Sequence, residues 1–137
     1  MALRHRIQES VALLILQVAA TALHVVPKLV YSAHPTTRIV AYISSLGPIW
    51  VLLFGATSLM LGASLWWKGR QDYAHLACAT VWVFYMVALF VGAFASSPHG
   101  TVFFPAVAAA IVGVHSILAV SYSDDAGVAR RALRGEQ

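Results

Sequence analysis

The sequence predicts an all-α protein, a four-transmembrane-helix bundle that forms a single membrane domain over residues 1–137. The chain is 60% hydrophobic and only 10% charged, whereas soluble proteins carry about 25% charged residues. It also contains four apolar stretches, each about as long as the 20 residues that a helix needs to cross a bilayer. The nine basic and five acidic residues fall mostly at the ends of these stretches. Lipid is therefore the expected surrounding of most of the chain.

Turn and charge signals set the ends of the four predicted helices. The first stretch ends at Pro27-Lys28, and the second ends at Lys68-Gly69-Arg70. The third ends in the turn-forming segment 96–100, and the fourth ends before Ser123-Asp124-Asp125. The predicted helices cover residues 7–26, 46–67, 73–95 and 101–122, and residues 123–137 form a basic cytoplasmic tail.

Two of the predicted spans carry a further signal. Arg4 and Arg6, followed by an apolar run that ends in Ala20-Thr21-Ala22, are also typical of a secretory signal sequence. We expect this segment to be retained as the first membrane helix. Residues 34–37 are suited to cap a helix that begins outside the membrane and enters it at Ile39, and Gly47-Pro48 predicts a kink in this helix.

The orientation follows from the distribution of lysine and arginine, which accumulate on the cytoplasmic side of membrane proteins. The side shared by both termini and the middle loop holds Arg4, Arg6, Lys68, Arg70, Arg130, Arg131 and Arg134. The other side holds Lys28 and Arg38. This imbalance predicts that both termini are cytoplasmic.

Each predicted helix carries its polar residues on one stripe. Residues spaced by three, four or seven share a helix face, and lipid disfavours polar side chains. We therefore expect the four stripes to face one another, with polar contacts in the interior. The interior residues predicted in this way, one from each helix, are Gln17, Thr57, Trp82 and His115.

Small residues recur at spacings of four or seven residues on three of the helices. Such pairs allow membrane helices to approach closely. They indicate packing within one chain or between copies of it. The candidate packing residues are Gly55, Gly62, Ala88, Gly92, Ala109 and Gly113.

The sequence does not favour an enzyme or a coupled carrier. No Asp, Glu, Lys or Arg lies near the midplane of a predicted span, where proton- and ion-coupled transporters usually place such groups. The sequence has no metalloprotease motif, Cys-x-x-Cys pair, phosphate loop or nucleophile elbow. We predict no catalytic residue, cofactor or metal, and no nucleic-acid partner, because the basic residues form no aromatic-interleaved run.

His75 and His115 are the sharpest alternative, as ligands of a haem or metal in neighbouring helices. Counted from the cytoplasmic ends, they differ in depth by about five residues, or roughly 7 Å. Two axial ligands of a haem need nearly matching depth. Interhelical hydrogen bonding is the simpler interpretation of both histidines.

Several segments resemble a known group of proteins. The residues that carry the resemblance lie in 46–50, 75–77, 97–101 and 115–122, the last reading His-Ser-Ile-Leu-Ala-Val-Ser-Tyr. In sequence these segments are similar to small four-helix membrane proteins encoded by actinobacterial viruses, some of which are called holins. The resemblance covers a little over half of the chain, from Leu46 to Ser123, and contains no catalytic motif. It implies a role in lysis or at the host envelope.

Three functional hypotheses follow. The first is a holin-like, self-associating protein that permeabilises or remodels the membrane. The second is a non-catalytic accessory subunit, or an exclusion factor, that binds a larger membrane complex. The third is a haem-binding redox membrane protein. The expected partners are the lipid bilayer together with further copies of the chain or another membrane protein.

Overall fold

The structure is a computed structural model that describes residues 2–25, 37–66, 70–96 and 102–134. Within these ranges it is helical, with short turns and no β-strand. The helices in chain order are α1 (Ala2–Val25), α2 (Arg38–Ser45), α3 (Ile49–Trp66), α4 (Gln71–Ser96) and α5 (Phe103–Arg134).

Four of the five helices are long and apolar enough to cross a bilayer. The qualifying segments are Arg6–Val25, Ile49–Trp66, Gln71–Ala95 and Phe103–Val128. This confirms the predicted all-α class and the four apolar spans. By length and composition, the chain is a multi-pass membrane protein.

The helix is interrupted between α2 and α3, where a kink was predicted. Gly47 has a φ of +148°, which residues with a side chain rarely adopt. Pro48 lacks a backbone N–H and disfavours helical geometry in the residue before it. The result is two separate helices, joined by a hydrogen bond of 3.2 Å from Trp50 Nε1 to the Val40 carbonyl.

The last helix continues past the predicted end of its span. The fourth predicted helix stopped at Tyr122, whereas α5 runs through the polar residues 123–125 and ends at Arg134. The residues after the apolar span include alanine, leucine and arginine, which favour helices. Arg131 and Arg134 also lie in the last turn, where positive charge stabilises the helix dipole.

The long helices pack as two pairs. α1 lies along α3, and α5 lies along α4 in the most extensive contact of the fold. α3 also packs on α4, and the short α2 rests on α4 and α3. Two of the predicted packing glycines lie in the first pair. Gly55 faces Thr21 Cγ2, and Gly62 faces Leu14, at distances of 3.7 and 3.8 Å from an added Cβ.

Two apolar clusters fill the interior. One lies toward the α2–α3 break and includes Trp50, Phe54 and Trp82. The other lies toward the start of α1 and the end of α5 and includes Leu61 and Leu118. We call this second end of the bundle, where α1 begins and the apolar part of α5 ends, the charged end.

Candidate functional site

The interior polar residues form two groups, one in the middle of the bundle and one near the charged end. The middle group centres on Gln17, whose side chain is fully buried. Its Nε2 donates to Thr57 Oγ1 at 2.5 Å, and its Oε1 accepts from Trp82 Nε1 at 2.7 Å. Thr57 Oγ1 lies 2.9 Å from the Leu53 carbonyl, to which it donates. One amide side chain thus connects α1, α3 and α4.

The group near the charged end is built around two histidines from neighbouring helices. His75 on α4 and His115 on α5 are both fully buried. Their Nδ1 atoms lie 3.0 Å apart, which is hydrogen-bond distance. The His75 ring also stacks on Tyr122, with centroids 5.6 Å apart and an interplanar angle of 10°.

The first helix joins this group through Ser10. Ser10 Oγ lies 3.0 Å from His75 Nε2 and 3.1 Å from the Tyr122 hydroxyl. Tyr122, Ser10, His75 and His115 therefore form one continuous hydrogen-bonded chain across α5, α1 and α4. We call these four residues the polar chain.

The polar chain has two internally consistent arrangements of hydrogens. If His75 Nδ1 carries the hydrogen, it donates to His115, and His75 Nε2 accepts from Ser10. If His115 Nδ1 carries it, every hydrogen bond in the chain reverses. In both cases His115 Nε2 is buried without a hydrogen-bond partner among the described residues. The polar chain therefore ends in the bundle interior at an unsatisfied nitrogen.

An ion pair covers the polar chain at the charged end. The guanidinium of Arg6 on α1 pairs with the Asp125 carboxylate on α5. Arg6 Nη1 also donates to the Ser121 carbonyl at 3.3 Å. The start of α1 and the end of the apolar part of α5 therefore lie at the same end of the molecule.

The two histidines are in contact although the sequence predicts different depths for them. The count placed them roughly 7 Å apart in depth, yet their Nδ1 atoms are in contact. Counting residues compared positions along two separate helices and took no account of their axial offset in the packed bundle.

The geometry does not favour the haem interpretation of His75 and His115. Axial ligands on opposite sides of an iron stand about 4 Å apart, at metal–nitrogen lengths of about 2 Å. The two Nδ1 atoms instead form a direct hydrogen bond. Across the described residues, no group of three or more His, Cys, Asp or Glu side chains is placed to hold a metal ion.

Ser10, His75 and His115 also follow one another in the order of a nucleophile, a base and an orienting group. A catalytic serine needs a path for its substrate and a free hydroxyl. All three side chains are fully buried, and the Ser10 hydroxyl is shared with Tyr122. The arrangement therefore favours helix connection over hydrolysis.

The opposite end of the bundle is aromatic. The buried His24 ring stacks on Phe54 at 5.6 Å and meets Tyr85 edge to face at 5.3 Å. A cavity of about 470 Å³ opens beside His24, at the α2–α3 break. Its lining residues are His24, Val25, Ser44, Ser45, Gly47, Pro48, Trp50 and Val51.

The candidate packing residues divide between the inside and the outside of the bundle. Gly55 and Gly62 lie between α1 and α3. Ala88 and Gly92 are buried on α4. Ala109 is exposed, and a Cβ added at Gly113 would have no neighbour within 4 Å. These last two lie on a small-residue face of α5 that no described helix covers.

All four residues predicted for the interior are buried, and the structure brings three of them together. Gln17, Thr57 and Trp82 share one hydrogen-bonded node, whereas His115 belongs to the polar chain. Ser10 lies seven residues before Gln17, and Tyr122 lies seven residues after His115, so each shares a helix face with a predicted interior residue. This spacing was the signal available for them in the sequence.

Comparisons with protein-family models, with curated proteins and with solved structures found no match to this chain. The described part of the chain has four helices long and apolar enough to cross a membrane, and buried polar residues form a network between them. The resemblance to viral membrane proteins remains a prediction.

Proposed function

We propose that the protein is a holin-like, self-associating membrane protein that permeabilises or remodels the bacterial cytoplasmic membrane. The observation that supports this most directly is the uncovered small-residue face of α5. Its members are Ala106, Ala109, Ala110 and Gly113. Three are exposed alanines, and the fourth is the glycine with open space around it.

Small residues on an outward face favour close contact with another helix. In membranes, helix association depends on close packing and interhelical hydrogen bonds, because lipid and side chains are equally apolar. Gly55 and Gly62 already serve α1–α3 packing inside the chain. The α5 face is a further small-residue surface that no described helix covers, so a second copy would be able to pack closely on it.

The interior polar groups support the same proposal. A hole-forming protein has to insert without disturbing the bilayer and later present polar surface to water. Ser10, Gln17, His75 and His115 are fully buried. The folded chain therefore shows lipid an apolar surface while it carries enough polar groups to line an aqueous opening.

The test is expression in a bacterium with a fluorescent measure of membrane potential. The native chain should collapse the potential, and it should cause abrupt lysis when a cytoplasmic endolysin is present. The double variant Ala109→Leu with Gly113→Leu should insert and fold but delay both events, because leucine separates the packing helices.

The matched control is Val107→Leu with Val114→Leu, which changes two other exposed positions of α5. It should behave like the native chain. Toxicity of overexpression alone would not count in favour of the proposal. If the native chain leaves the potential intact at high copy, or if the α5 double variant depolarises cells as fast as the control, the holin-like function is wrong.

An accessory role is the second candidate, and an aromatic surface favours it. Phe90 and Phe94 stack on the outside of α4 with centroids 5.6 Å apart, and Phe94 is 72% exposed. Aromatic residues are enriched at protein interfaces. Crosslinking in native membranes separates the two candidates: a ladder of multiples of the chain mass supports self-association, and one defined heterologous band supports an accessory subunit.

A further inference from the structure

The bundle has one weakly packed edge, between α1 and α5. α1 lies along α3, α5 lies along α4, and α3 packs directly on α4. Along their lengths, α1 and α5 approach each other less closely than any of these neighbours. The molecule is therefore two helix pairs that are joined on one side by packing.

On the other side, α1 and α5 are joined by polar contacts near the charged end. Arg6 pairs with Asp125 and donates to the Ser121 carbonyl. Ser10 Oγ lies 3.1 Å from the Tyr122 hydroxyl. We call Arg6, Ser10, Tyr122 and Asp125 the polar bridge. Beside it, Leu13 and Leu118 belong to the same apolar cluster.

Polar groups that lipid would not solvate lie behind the polar bridge. His75 and His115 are buried there, and Gln17 and Thr57 are buried farther along the interior. We call these four residues the interior polar stripe. The closed arrangement is also incomplete, since His115 Nε2 has no partner among the described residues. An unsatisfied buried nitrogen destabilises the closed state and would be satisfied by water in an open one.

We propose that the polar bridge is a conformational device that controls exposure of the interior polar stripe. While it is formed, α1 stays against α5 and the stripe stays out of contact with lipid. When it breaks, the bundle opens along the α1–α5 edge, and the stripe faces water or another copy. This inference rests on the proposed function, because it supplies the step between harmless insertion and hole formation.

The native cysteine gives a test that does not depend on the proposed function. Cys78 is the one cysteine of the chain, is fully buried and belongs to the cluster beside the polar bridge. In isolated membranes, N-ethylmaleimide should label it slowly in the native protein. In Asp125→Ala, labelling should be about three to ten times faster, the range that one or two lost interhelical interactions produce.

Asp124→Ala is the matched control, because it removes an equally exposed carboxylate from the neighbouring position. It should leave the Cys78 labelling rate unchanged. Arg6→Ala should accelerate labelling as Asp125→Ala does, and the double variant should add little to either. Equal labelling rates in the native protein, Asp125→Ala and Arg6→Ala would overturn the proposal.

A reversible crosslink tests the device in cells. In a Cys78→Ser chain, Arg6→Cys and Asp125→Cys would be joined by a reducible bifunctional thiol reagent. The joined protein should leave the membrane potential intact, and a reducing agent should restore depolarisation. Asp72→Cys with Ser123→Cys puts the same reagent between α4 and α5, which stay together, and should not prevent depolarisation.

The outcomes separate the two proposals. If the joined protein still depolarises the membrane, opening along the α1–α5 edge is not required and the device is refuted. If Cys78 labelling responds to the bridge variants but the reduced protein never depolarises the membrane, the device stands and the holin-like function is wrong.

Discussion

The Nδ1 atoms of His75 and His115 lie 3.0 Å apart inside the bundle, so one imidazole is the donor and the other the acceptor. His75 Nε2 faces Ser10 at 3.0 Å, and Ser10 in turn faces the Tyr122 hydroxyl. The direction of the first hydrogen bond therefore sets the direction of the others. A substitution at one end of the polar chain should therefore change the hydrogen bonding at the other end.

The two histidines should differ in their contribution to stability. His75→Phe removes the partner of both Ser10 and His115, and we expect it to lower the free energy of unfolding by about 2 kcal/mol. His115→Phe leaves His75 Nδ1 without its partner but also removes the unsatisfied His115 Nε2, so the number of unsatisfied buried nitrogens does not rise and the cost should be smaller, about 1 kcal/mol. Unfolding in mixed detergent micelles measures both. A larger loss for His115→Phe than for His75→Phe would contradict the polar chain as described.

Gln17 gives a second prediction. Gln17→Leu leaves Trp82 Nε1 without its 2.7 Å acceptor, whereas Thr57 keeps the Leu53 carbonyl. Membrane interhelical hydrogen bonds average about 0.6 kcal/mol, so losing two of them should destabilise the fold by roughly 1 kcal/mol. Adding Trp82→Phe removes the stranded N–H. The double variant should therefore cost less than the sum of the single variants, and strict additivity would argue against the contact.

The sequence predicted the four apolar spans because they depend on local composition, and local periodicity was the basis of the predicted polar stripes. About 20 apolar residues specify a span, and spacing by three, four and seven places Gln17 and Ser10 on one face. The Gly47-Pro48 signal correctly marked an interruption. It did not distinguish a kink from two helices, because that depends on what α2 packs against.

The polar chain was not predicted because it depends on the axial offset between helices. Nothing in the spacing of residues within α4 or α5 states which residue of one helix stands beside a given residue of the other. The spacing therefore did not place His115 beside His75, although their Nδ1 atoms are 3.0 Å apart. Contacts such as Arg6 with Asp125 join residues too far apart in sequence for local patterns to connect.

The inner and outer small residues should respond differently to enlargement. A Cβ at Gly55 or Gly62 would make ordinary contacts of 3.7 and 3.8 Å, so alanine should be tolerated at both. Leucine at either position would push α1 away from α3 and should destabilise the fold by about 1–3 kcal/mol, as overpacking does. Gly113→Leu should leave the stability of the single chain nearly unchanged, because its surroundings are open.

The same unfolding assay in detergent separates these variants from association effects. Glycine variants on α3 are therefore poor probes of self-association, since they disturb the chain itself. Equal destabilisation by Gly55→Leu and Gly113→Leu would show that the α5 face is covered within one chain.

Topology gives the last prediction. The Arg6–Asp125 ion pair places the start of α1 and the end of the apolar part of α5 at one end of the bundle. Seven of the nine basic residues belong to the termini and the middle loop on that predicted side, which favours a cytoplasmic location. Alkaline phosphatase, which is active only after export, should be inactive when it is fused after Gln137. The same enzyme inserted between α4 and α5 should be active. Activity of both fusions would contradict a crossing of the membrane by α5, while the reverse pattern would keep the fold and invert its orientation in the membrane.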